Sequence, residues 1–199
     1  MVYPANLLEL IEYFKKLPGI GEKSAERRAL AILDMSVEGV ADFSLALDSA
    51  KTELKRCSIC GSLTDEDVCY VCRDISRNHN VICVLEDFKG VFAFEKSGKY
   101  NGVYHVLDGL ISPIDDRGPE DINLSSLIDR VKTLENPEVI IALKPSIEGE
   151  TTTLYIKKIL EDKGIKISRL SYGIPMGVDI DYLDEITLLN ALNDRKDIS

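Results

Sequence analysis

Cys57, Cys60, Cys69 and Cys72 stand as two C-x-x-C pairs in CSICGSLTDEDVCYVC, separated by a short loop. No other feature restricts this chain so tightly. Each C-x-x-C lets two thiolates grip one ion, and the second pair completes a tetrahedron. The spacing therefore predicts a small module over 57–72 built on one Zn²⁺. The same cysteines also fit a redox pair or two disulfides, but a reducing compartment disfavours those. No histidine lies inside the cluster and no ligand position is left open, so the zinc is expected to be structural and not catalytic. The remaining cysteine, Cys83, falls in VICVLE and reads as a buried apolar residue.

The reducing compartment is itself an expectation. No stretch of about 18 apolar residues is present, which excludes a hydrophobic membrane-spanning helix. MVYPANLLELIEYFKK lacks the basic leader and apolar core of a signal peptide, so a cytoplasmic protein is expected. With 199 residues, 45% of them hydrophobic, the chain suffices for one medium domain or two to three small ones. Its net charge of -10 argues, taken alone, against binding nucleic acid. Binding is decided by local clusters, however, and not by the average.

One such cluster lies near the N-terminus. Apolar residues recur with helical spacing over Asn6 to Lys16, and LPGIG (Leu17 to Gly21) breaks the pattern. Helical periodicity resumes through GEKSAERRALAIL, and a third helix is expected from about Ser36 to Arg56. Glycines in the turn let backbone approach a partner closely. The helix that follows offers free N–H groups and a positive dipole end to a phosphate. Lys23 and Arg27 are four residues apart on one face of it, with Arg28, Lys15 and Lys16 nearby in sequence. An ordinary helical hairpin with a solvated charged face would look the same by pattern. The LPGIG core followed by basic residues resembles the helix-hairpin-helix motif, which reads phosphates and not bases.

Beyond the cysteines the pattern alternates. VICVLE, YHVL (104–107), EVIIAL (138–143) and KISRLS (166–171) read as strands. FKGVFAFEK, Leu124 to Leu134 and Thr151 to Asp162 read as helices, and LISPIDDRGPED as a loop. Such alternation predicts a parallel sheet covered by helices, with any site at the carboxyl ends of its strands. Glu86 ends the first strand, and LKPSIEGET follows the third. The tail, YGIPMGVDIDYLDEITLLNAL, is a Gly/Pro loop leading into a helix. Its apolar Leu183, Ile186 and Leu189 would by pattern alone be core.

VLE followed by a strand and an EGE motif resembles the Toprim domain of topoisomerases, primases and some nucleases. In those enzymes a glutamate serves acid–base chemistry and a D-x-D pair holds Mg²⁺, which needs hard oxygen ligands. By position, Lys144 and Ser146 occupy the two aspartate places, while Glu148, Gly149 and Glu150 keep the trailing motif. A lysine repels Mg²⁺ and a serine is a poor substitute. The resemblance therefore implies a Toprim fold without phosphodiester chemistry, a Mg²⁺-dependent nuclease or topoisomerase-like enzyme being the alternative. Glu148 and Glu150 also suit an acidic helix N-terminus.

Taken in order, the hairpin, the four cysteines, YHVLDGLISPIDDRGPEDI, KPSIEGETT and YGIPMGVDIDYLDEITL resemble the RecR family of bacterial recombination mediators over nearly the whole chain. Lys144 departs from the asparagine usual in that family. The resemblance implies an α+β multi-module chain. It comprises a helix-hairpin-helix DNA-binding region (1–56), a four-cysteine zinc module (57–72), a Toprim domain with a mainly parallel sheet (79–172) and a C-terminal oligomerisation tail (173–199). It implies a non-enzymatic, nucleoid-associated DNA-repair factor. With RecO, and with RecF at gaps, such a factor helps load RecA onto single strands coated by single-strand-binding protein. It further implies a ring-like tetramer around single- or double-stranded DNA, joined through its N-terminal helices and its tail. Lys23 and Arg27 match DNA-contacting positions, and Glu86, Glu148 and Glu150 the acidic face that engages RecO. An acidic face for a basic partner agrees with the net charge.

Overall fold

The computed structural model describes residues 3–161, 164–171 and 173–195. Asp162, Tyr172 and the last four positions of the tail lie outside the described residues. The chain divides into two units, one reaching Leu54 and the other beginning at Lys55.

The first unit is helical. Helices α1 (Ala5–Lys15) and α2 (Glu22–Leu33) form a hairpin around Ile11, Ala25 and Ala29, all buried. The two alanines stand one turn apart, so α1 can lie close against that stripe of α2. Leu7, Leu10, Phe14 and Ile20 pack around them. Gly19 makes the turn at φ +77, a left-handed conformation that other residues reach only with strain. Helix α3 (Val37–Thr52) starts at Ser36, whose Oγ accepts the Gly39 N–H at 3.0 Å. It buries none of its residues, and Val37, Leu45 and Leu47 are exposed. The helix stops at Thr52 and does not run to Arg56, because Lys55 and Arg56 extend into a strand.

That strand, β1 (Lys55–Arg56), pairs antiparallel with β2 (Leu63–Thr64) and opens the second unit. A short helix, α4 (Tyr70–Arg73), carries the last cysteine of the cluster. The sheet that follows contains β3 (Asn78–Leu85), β4 (Gly102–Val106), β5 (Glu138–Ala142) and β6 (Lys166–Arg169) in the order β4-β3-β5-β6. Every pairing in it is parallel. Helices α5 (Phe88–Ser97), α6 (Leu124–Lys132) and α7 (Ile147–Leu160) make the crossovers. The two central strands bury Ile82, Val84, Val139 and Ile141. Cys83 is buried among them, and burial pushes its thiol up to about 12, so it behaves as an apolar residue.

Between β4 and α6 the expected loop holds two short 3-10 turns, Pro113–Asp115 and Pro119–Asp121. Helix α7 begins at Ile147 and not at Thr151, since Ser146 caps it. The tail ends in α8 (Glu185–Asn193), capped by Asp184. Its Ile186, Leu189 and Leu192 are exposed and not core. No helix among the described residues is long and apolar enough to cross a membrane.

Candidate functional site

The four sulfurs of Cys57, Cys60, Cys69 and Cys72 lie within 4.8 Å of one another, and all four residues are buried. Tetrahedral zinc with bonds of about 2.3 Å has sulfurs on the order of 3.8 Å apart. Cys60 and Cys69 Sγ are 3.6 Å apart, so the arrangement fits that ion. The Cys69 backbone N–H donates to Cys57 Sγ at 3.3 Å, a bond that favours thiolate. Hydrogen bonding from Cys60 and Cys72 pulls the Cys69 thiol well below its ordinary value, while Cys60 is pushed up, chiefly by its bond to Cys69. Sulfurs this close cannot all be charged without a cation between them. The residues hold one structural Zn²⁺ with no ligand position open for chemistry.

Beside the module, a partly buried ion pair ties the segment before β3 to α5. Arg77 grips Glu95 with two bonds, at 3.0 and 2.6 Å, and the pair's side chains are 14% and 16% exposed. Tyr104 donates to the same carboxylate at 2.6 Å and Tyr70, from α4, at 3.2 Å. Nothing in the local sequence around Glu95 reveals this network, because its members come from separate segments of the chain.

On the hairpin, the first turn of α2 follows Gly21, which provides no side-chain cap. Its N–H groups therefore remain available to an anion, although Glu22 sits in the same turn. Lys23 and Arg27 are exposed and line one shallow groove with Leu30 and Asp34. Among the described residues neither forms a salt bridge. Lys15 pairs with Glu12 at 2.7 Å and Lys16 rests over the Tyr13 ring, so both lean on their own helix.

The sheet order changes direction between β3 and β5. β3 leads outward to β4 on one side, and β5 leads to β6 on the other. The crevice at such a switch point is where ligands of parallel sheets bind. Glu86 follows β3 there, and Lys144 follows β5. Lys144 Nζ lies 3.1 Å from Glu86 Oε1. The ammonium thus sits directly beside Glu86 in that crevice. The other two acidic residues have partners of their own. Glu148 is held below the usual carboxylate range by the Ser146 hydroxyl and its own backbone N–H, with Lys144 adding to this. Glu150 meets Arg169 at 3.2 Å. Among the described residues, the cysteines form the one group of three or more potential ligands that converges, and these glutamates do not.

Ser146 is fully employed at the second aspartate place, since its Oγ accepts the Gly149 N–H at 3.2 Å. Gly149 is required by contact: a Cβ there would lie 2.0 Å from the Lys144 carbonyl oxygen. Motif matching found Glu86, Lys144, Ser146, Glu148, Gly149 and Glu150 but not Arg169, and the Lys144–Glu86 pair joins distant positions and needed the fold. Arg56 and Asp108 are paired at 2.5 Å beside the zinc module; Asp108 falls in the YHVLDGLISP stretch, but nothing in the sequence singled out either residue or the pair.

Four family matches cover the chain in order. Residues 7–51 match the RecR helix-hairpin-helix, and residues 54–74 match the RecR zinc finger domain of four cysteines. Residues 80–171 match the Toprim domain, and residues 173–196 match the RecR C-terminal region.

Proposed function

From the premise that the chain belongs to the RecR family and serves DNA repair as a recombination mediator, we propose that it works without phosphodiester chemistry, as a ring-like clamp. It holds DNA while RecO, and RecF at gaps, help to place RecA on single strands coated by single-strand-binding protein. The observation that carries this reading is Lys144 Nζ 3.1 Å from Glu86 in the crevice of the sheet. An ammonium at that point repels Mg²⁺ and leaves no carboxylate pair to hold it.

In this reading Lys23 and Arg27, with the uncapped start of α2, bind phosphates. Two cations per chain on a protein of charge -10 make a weak site. Repeating it around an oligomer multiplies that weak affinity through effective concentration. Assembly is supported by the apolar residues that the single chain leaves uncovered. Ile186, Leu189 and Leu192 do so on α8, and Val37, Leu45 and Leu47 on α3. Glu86, Glu148 and Glu150 form the acidic face offered to RecO, where charge complementarity favours a basic partner.

The test is a gel with labelled single- and double-stranded DNA and Mg²⁺, with and without RecO. Intact, retarded DNA, retarded further by RecO, is expected. DNA cut in Mg²⁺ and spared in EDTA would replace this reading with the Toprim nuclease or topoisomerase-like one. Charge reversal at Glu148 or Glu150 is expected to weaken RecO binding and spare DNA binding, and the reverse pattern would move the partner site elsewhere.

A further inference from the structure

We propose that zinc in the cysteine module locks the outer edge of β4, and through it the turn that holds Glu86, so that zinc release loosens this edge before the rest of the sheet. The inference rests on the fit of the four cysteines to zinc and not on the partner reading.

β4 lies at the end of the strand order, so among the described residues one side of it lacks a neighbouring strand. Such edges are costly to leave open. The zinc module covers this one. The Val106 N–H, which points away from β3, donates to the Cys60 carbonyl at 2.7 Å. Gly61 follows at φ +74, and a Cβ there would come within 3.0 Å of both the Val106 carbonyl oxygen and Asn123 Nδ2. A side chain there would crowd both atoms and strain the left-handed backbone. Arg56, next to the first ligand, reaches Asp108 at 2.5 Å, donates to the Gly61 carbonyl at 3.3 Å and lies over the Phe88 ring.

From that edge a relay runs to the crevice. The Leu107 N–H donates to the Leu85 carbonyl at 2.9 Å, and the Gly109 N–H to the Glu86 carbonyl at 3.2 Å. Asp108 between them holds φ +59 and Gly109 φ +151, a strained turn that surrounding contacts must maintain. On the module's side the polar contacts to this segment come from the Cys60 carbonyl and from Arg56, and α4 packs against β4 beside them. Those groups have little fold of their own, since β1 and β2 are two residues each. Structural zinc carries the folding energy of such a module. The mooring of Tyr70 to Glu95 reaches α5 and does not replace the bond to Val106.

The experiment is amide exchange on the full chain, before and after zinc is withdrawn by EDTA, with metal content measured alongside. Segment 102–109 is expected to exchange faster by about tenfold or more, as when one local closing contact is lost, while 138–142 keeps its protection. Unchanged protection of 102–109 in zinc-free protein would overturn the proposal. So would simultaneous loss from both segments, since zinc would then hold the whole fold and not its edge. Arg56→Ala keeps every cysteine and is expected to retain zinc while Gly109 exchanges faster. Unaltered exchange at Gly109 in that variant would remove the relay to Glu86.

Discussion

Lys144 and Glu86 are 58 positions apart in sequence, yet their side chains meet at 3.1 Å where β3 and β5 end. The pair is partly exposed, at 54% and 32%, so it adds only about 0.2–1 kcal/mol to stability. Its expected consequence is electrostatic exclusion of a divalent cation. Calorimetric titration of the protein with Mg²⁺ is expected to show no site in the sheet crevice. The variant Lys144→Asp with Ser146→Asp restores two hard oxygen ligands, keeps a capping side chain at 146, and is expected to show Mg²⁺ binding. Equal binding by the parent would mean that the ammonium does not guard the crevice.

Lys23→Ala with Arg27→Ala is expected to weaken DNA binding and to flatten its salt dependence. Two lost phosphate contacts per chain lower the slope of log K against log salt by about 1.8 on duplex and about 1.4 on single strands for each chain that engages the DNA. Because both residues are exposed, stability should stay within about 0.5 kcal/mol. An unchanged slope would place the phosphate contacts elsewhere.

Glu95→Ala removes the carboxylate that Arg77 and Tyr104 share, leaving Arg77 with Asp74 and the Gly102 carbonyl, and is expected to cost about 1–3 kcal/mol in denaturant unfolding. Burial opposes the charge on Glu95, but the bonds from Arg77 and Tyr104 outweigh it and hold the carboxyl below the usual carboxylate range. A carboxylate depressed in the folded state contributes stability above its unfolded pKa and loses it as pH falls through the folded value. Stability should therefore fall as acid is added below about pH 4.3, the ordinary glutamate value, with a shallower fall in Glu95→Gln. Identical acid limbs would show that the ion pair does not carry this dependence.

Gly149→Ala drives a methyl against the Lys144 carbonyl and should cost on the order of 2 kcal/mol or more, read as a lower melting temperature. Zinc content and the salt slope of DNA binding should not change. A melting temperature equal to the parent's would mean that the 144–149 turn yields easily.

Local pattern determined much of this protein. The C-x-x-C pairs specify the metal module because two thiolates so spaced reach one ion. LPGIG marks the hairpin because its turn needs a left-handed residue at Gly19. Alternating strands and helices require a parallel sheet because each crossover helix must cover a face. Those signals are carried by residues near each other in sequence. Three features were settled only by the tertiary structure. The strand order β4-β3-β5-β6 put Lys144 on Glu86. The end of α3 at Thr52 came from Arg56 pairing with Leu63 in a later strand. The bond from Val106 to Cys60 turned the zinc module into the cover of a sheet edge. Each depends on contacts between distant segments, and packing of the whole chain selects these where periodicity, spacing and composition are silent.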